Sequence, residues 1–95
     1  MEVTTVKGKI TLLRVNEDSA YGPPNDRLDA EVIVKLENDP KAFGLKLKPS
    51  DKLPVDQAMF ALLQDAFNSN ETVYLTFEES PGKQNHYLRR VARTR

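Results

Sequence analysis

Apolar and polar residues alternate with a period of two along most of this chain, and only one stretch switches to helical spacing. Val3 to Val15 reads as a long first strand, rich in β-branched residues, with Gly8 in its middle marking a bulge or bend. Leu28 to Glu37 is the clearest strand. Leu28, Ala30, Val32, Val34 and Leu36 point one way, while Asp29, Glu31, Ile33, Lys35 and Glu37 point the other. Asn38 to Lys41 is a turn by composition, and Phe43, Leu45 and Leu47 then alternate in a third strand that forms a hairpin with the second. A two-residue turn would place Glu31 opposite Lys48 and Ile33 opposite Lys46. Pro54 to Phe67 predicts an amphipathic helix with Val55, Ala58, Met59, Leu62, Ala66 and Phe67 on its buried face, ended by Asn68-Ser69-Asn70. Val73, Leu75 and Phe77 mark a fourth strand. His86 to Thr94 marks a fifth, whose inward face is contested between Leu88 with Ala92 and Tyr87 with Val91.

Between the first two strands, Asn16 to Arg27 is a loop of about twelve residues, dense in Gly, Pro, Asn and Asp and longer than a usual hairpin connection. The resulting order is β-β-β-α-β-β, mainly β with one helix. Five antiparallel strands leave exposed edges unless the sheet closes, and the helix has an apolar face to bury. This order, the glycine in the first strand and the helix before the last hairpin resemble the OB-fold, a five-stranded Greek-key barrel. The resemblance covers about residues 3–94 and implies one OB-like β-barrel domain over 1–95, of a kind used to bind oligonucleotides and oligosaccharides. Another β-barrel or a β-grasp-like arrangement is the competing topology. Fold alone does not assign function.

Length and composition narrow the classes. Ninety-five residues suit one domain, and 39% hydrophobic with 29% charged residues argue against disorder. The longest apolar run, Ala58 to Leu63, is too short to cross a bilayer, so no membrane partner is expected. With no secretion signal in view and no cysteine, the expected setting is cytoplasmic.

Catalytic chemistry finds little support. There is no phosphate-cradling glycine loop, and a single histidine with no cysteine cannot assemble the usual zinc set. His86 reads as a solvated residue at a strand start, and adjacent Glu78 and Glu79 point to opposite faces rather than forming an acid–base pair. Glu17, Asp18, Asn25, Asp26 and Asp29 gather oxygen atoms around the long loop but lack EF-hand spacing, so a solvated acidic loop is expected. The expectation is a non-enzyme with no catalytic residue, no metal and no cofactor.

Charge carries more information. The total is zero, yet segments 1–15, 16–39, 40–52, 53–80 and 81–95 carry +2, −5, +3, −5 and +5. In an OB barrel the third and fifth strands are neighbours, which would bring Lys46 and Lys48 near Arg89, Arg90 and Arg93 in a basic stripe. A salt-laced sheet is the competing reading of those charges. Phe43, Phe67 and Phe77 are assigned to the core. Phe60, off the main helical stripe, is also assigned chiefly to the core, and with Ile33 it serves as a candidate exposed apolar contact. Tyr21 is the expected exposed aromatic; Tyr74 and Tyr87 are read as half-buried. The leading expectation is a small interaction module that binds a protein partner or self-associates. Weak nucleic-acid binding through the basic stripe is the first alternative, although the outward positions of strands two and three carry no aromatic platform. Carbohydrate or small-ligand binding at Tyr21, Gln84, Asn85 and His86 is the second.

Overall fold

The computed structural model describes residues 2–17 and 20–93. Its strands are β1 (Glu2–Val15), β2 (Ala20–Tyr21), β3 (Leu28–Asp29), β4 (Val32–Leu36), β5 (Ala42–Leu45), β6 (Thr72–Glu79) and β7 (Asn85–Arg93), and α1 (Leu53–Ser69) precedes β6. Five strands close a barrel in the order β1-β4-β5-β7-β6, while β2 and β3 form a small separate hairpin. The molecule is thus mainly β with one helix, and its barrel is OB-like.

β1 serves both halves of the barrel. Glu2 to Lys9 pair with β6, and Ile10 to Val15 pair with β4, with Glu37 N donating to Lys9 O at 2.9 Å at the changeover. The strand's irregularity falls between Ile10 and Leu12 and not at Gly8, whose missing Cβ would meet only ordinary contacts near 3.5 Å. Closure comes from β5 and β7, which run parallel with Ala42, Phe43 and Gly44 opposite Asn85, His86 and Tyr87.

The core explains both the successes and the failures of the alternation. Val32, Val34, Leu36, Phe43, Leu45, Val73, Leu75, Phe77, Leu88 and Val91 fill the barrel interior, joined by Met59, Leu63 and Ala66 of α1. The predicted helical face is therefore turned. Val55 is 58% exposed, Phe67 is 44% exposed and Ala58 is exposed, while Leu63 is fully buried. The run from Ala58 to Leu63 is apolar all round, so spacing alone did not choose its face; packing onto the barrel did. Asn70 ends the helix as expected, with φ 55° and its N–H turned back to Ala66 O and Phe67 O.

The expected second strand is broken. Leu28 and the loop residues just before it belong to the strap that carries β2 and β3, and Ala30–Glu31 interrupts the run before β4. Ile33 does point away from the barrel interior, yet it is fully buried, which overturns its reading as an exposed contact. Leu28, Ala30, Ile33 and Ala42, with Leu12 and Tyr21, form a second apolar layer on the outside of β4 and β5. Gly44 makes this possible, because a Cβ there would lie 2.8 Å from Ala30 Cβ and 3.2 Å from Leu28 Cδ1.

The β4–β5 register also differs from the two-residue turn. Ile33 lies opposite Gly44 and Val32 opposite Leu45, so each partner is two residues earlier than expected. The hairpin is centred one residue earlier, between Asn38 and Asp39, where Asn38 takes φ 63° and Asp39 Oδ1 accepts from Lys41 N at 3.0 Å. In β7, a bulge leaves Leu88 opposite Phe77 and Arg90 opposite Thr76, with Arg89 extra. That shift of phase buries both Leu88 and Val91 and resolves the contested face.

Two substitutions test the layers separately. Phe77→Ala should cost about 3–5 kcal/mol by emptying the barrel centre. Gly44→Ala should cost about 1–3 kcal/mol by overpacking the outer layer. Urea denaturation of each variant measures the loss.

Candidate binding groove

The parallel contact between β5 and β7 spans only residues 42–44 and 85–87. Beyond it the two strands no longer pair, and a groove of about 580 Å³ opens over this region, within the usual size of a ligand site. Buried Leu28, Leu45 and Leu88 form its apolar floor. Its walls come from the end of the β2–β3 strap (Arg27), the connector after β5 (Lys46, Ser50, Lys52), the first turn of α1 (Asp56), the end of β6 (Glu78) and the β6–β7 turn with β7 (Ser80, Lys83, Tyr87, Arg89).

Five cationic side chains therefore face two carboxylates. Lys46 places its ammonium 4.9 Å from the centroid of the Tyr87 ring, a cation–π contact. Tyr87 is 39% exposed, and its hydroxyl accepts from Asp29 N at 2.9 Å. Arg89 pairs with Glu78 at 3.0 Å in an exposed bridge, a kind worth only about 0–1 kcal/mol. The side chains of Arg27 and Lys52 have no hydrogen-bond or ion-pair partner among the described residues. Burial pushes the Asp56 carboxyl above its ordinary value, with Lys52 and Lys46 pulling it part of the way back.

The expected basic stripe is divided by this geometry. Lys46 and Arg89 line the groove. Lys48 instead donates to both Asp29 oxygens, at 2.8 and 3.0 Å. That hydrogen bond raises its pKa, helped by the charges of Asp29 and Glu31 and opposed by desolvation. Arg93 pairs with Glu71 and lies 3.8 Å from Asp65, at the far end of α1. Arg90 is exposed opposite Thr76, outside the groove lining. Glu31 accepts from Leu47 N through Oε1 at 2.7 Å, while its buried Oε2 has no hydrogen-bond partner among the described residues.

The remaining candidates are placed as follows. Tyr21 is half-buried in the outer apolar layer beneath Arg14, whose guanidinium lies 5.2 Å from its ring, so it is not a free surface aromatic. Phe60 is half-buried against the main core. His86 lines the groove with Asn85 but is only 3% exposed, in contrast to its reading as solvated. Its ring packs 4.7 Å from Phe77 and 6.5 Å from Phe43, because parallel pairing with Phe43 turns it inward. Nε2 of this histidine is buried with no hydrogen-bond partner among the described residues. In the acidic loop, both Asp26 oxygens accept backbone N–H groups and Asp29 bonds Lys48; Asp18 lies outside the described residues.

Sequence reasoning missed Arg27, Lys52 and Lys83. All three lie in connections that the barrel topology gathers at one place, and Arg27 stands in a loop of net negative charge, so charge counted along the chain does not single it out. No family model, curated protein or solved structure matches the chain.

The Tyr87 bond to β3 gives a direct test. Tyr87→Phe should lower stability by about 1 kcal/mol and speed hydrogen exchange at the Asp29 amide, read by thermal melting and exchange NMR.

Proposed function

We propose that this protein is a non-enzymatic interaction module that takes an acidic, extended segment of a partner protein into the groove over β5 and β7. The observation that carries the reading is the surplus of cations there: Arg27, Lys46, Lys52, Lys83 and Arg89 against Asp56 and Glu78. The apolar floor of Leu28, Leu45 and Leu88 suits side chains of a peptide, and the cations suit its carboxylates. The OB resemblance supports the location, since OB barrels take ligands beside the loops that follow their first and fourth strands. Here those loops supply Arg27 and Lys83.

Nucleic acid is the second reading, favoured by the same cations beside the partly exposed Tyr87. It ranks behind a peptide because Lys46 already covers one approach to that ring and single-strand binding depends on successive free aromatic platforms. Self-association has lost the support of Ile33 and Phe60, which pack into the apolar layers. The carbohydrate reading has its residues divided, with Asn85 and His86 at the groove and Tyr21 under Arg14. A non-enzymatic role accords with a lone histidine packed between Phe43 and Phe77. Absence of cysteine suits a reducing compartment, and we place the module in the cytoplasm.

The test is fluorescence anisotropy with a labelled oligoglutamate peptide and a labelled oligothymidylate at low salt. We expect peptide binding that weakens with salt and falls about tenfold in Lys46→Glu or Lys52→Glu. Asp56→Asn removes an opposing charge and should tighten it about two- to threefold. Preference for oligothymidylate would select the second reading; no binding of either probe would refute the groove as an anion site. Light scattering showing a dimer that survives these substitutions would restore self-association.

A further inference from the structure

One acidic residue beside the cationic groove is fixed in place by the opposite wall. Asp26 Oδ2 accepts from Gln84 N at 2.8 Å and Oδ1 accepts from Asn85 N at 3.3 Å. In return, Asn85 Nδ2 donates to Asp26 O at 2.8 Å, and Lys83 Nζ donates to Asn25 O at 2.6 Å. These bonds join segments 58 or 59 residues apart in the chain. The strap side is stiff, because Pro23 and Pro24 lead into a 3-10 turn closed by Asp26 N to Pro23 O at 2.9 Å. Gly22 presses against the same point. It has φ +95°, and a Cβ there would lie 2.5 Å from Asp26 O and 2.6 Å from Asn85 Nδ2.

We propose that Asp26 is a positioning residue for the groove: it bolts the β2–β3 strap to the β6–β7 turn and thereby holds Arg27 and Lys83 where one acidic ligand reaches both. The inference rests on the groove being an anion site. Arg27 follows Asp26 directly in the chain, and Lys83 precedes the two amides that the carboxylate grips, so each groove cation is attached to one half of the clasp. Without the carboxylate, only the bonds to Asn25 O and Asp26 O would join the strap to the turn, and each cation would have to be ordered further when ligand binds.

Charge alone makes the contrary prediction. Asp26 is a negative group next to Arg27 in the chain and bonded to the turn that carries Lys83, and removing it should strengthen attraction for an anion. The sign of the effect therefore separates positioning from electrostatics.

The experiment uses the full chain and compares wild type, Asp26→Ala and Asn85→Ala. Hydrogen exchange is followed at the Gln84 and Asn85 amides, and affinity for labelled oligoglutamate is measured across a salt series. The expected result is faster exchange at both amides in Asp26→Ala, with binding about tenfold weaker and less salt-dependent in both variants. A residue that served stability alone would leave the salt dependence of the folded protein unchanged. Asn85→Ala carries no charge change and decides the matter if Asp26→Ala does not fold. Binding by a folded Asp26→Ala as tight as wild type, or tighter, would overturn the proposal. Failure of the wild type to bind the peptide would refute the groove reading and the positioning role with it, and is distinguished by appearing before any substitution is made.

Discussion

The short parallel pairing of Ala42, Phe43 and Gly44 with Asn85, His86 and Tyr87 is the contact on which the rest of the molecule depends. It removes the last open edges of the sheet, which would otherwise present unpaired backbone groups to other chains. It turns His86 inward, where the ring packs with Phe43 and Phe77 at the centre of the barrel. The same pairing ends after three residues, and the divergence of the strands leaves the space that becomes the groove. Closure and site are consequences of one contact.

A second constraint acts from outside the barrel. β4 and β5 are covered on both faces, by the interior and by the strap that carries β2 and β3. This arrangement is dry enough to bury Ile33 completely, and it requires a residue without a side chain at position 44. The strap is anchored at one end by apolar packing around Leu28 and Ala30. Near its middle, hydrogen bonds at Asp26 attach it to the β6–β7 turn. The part of the strap from Ala20 to Asp29 thereby brings Arg27 and Leu28 to the groove.

Much of this was legible in the sequence, and the exceptions share a cause. Alternation located the barrel strands, Pro54 and Asn70 bracketed the helix, and Gly, Pro and Asp clusters marked the connections. What period-two reasoning lacked was the second layer: it equates an outward residue with an exposed one, and Ile33 is outward but covered. Bulges raised a related difficulty, since the extra Arg89 changes the face of every residue after it, and nothing in the local composition announces the change. His86 was misread because its inward turn comes from pairing with Phe43, a residue distant in the chain. The site was legible in part. Lys46 and Arg89 follow from strand adjacency, whereas Arg27, Lys52 and Lys83 reach the groove through loops whose paths depend on hydrogen bonds such as those of Asp26.

The β5–β7 contact also bears on how the protein reaches its native state. It joins residues 42–44 to residues 85–87, so the loop it closes spans nearly half the chain. Contacts of such separation form late and slow the folding of small β proteins. During synthesis, the groove cannot exist until the final strand has emerged, because its walls draw on residues from Arg27 to Arg89. A ligand of the proposed groove would therefore meet only molecules whose barrel has closed, and by binding them it would draw the folding equilibrium toward the closed barrel.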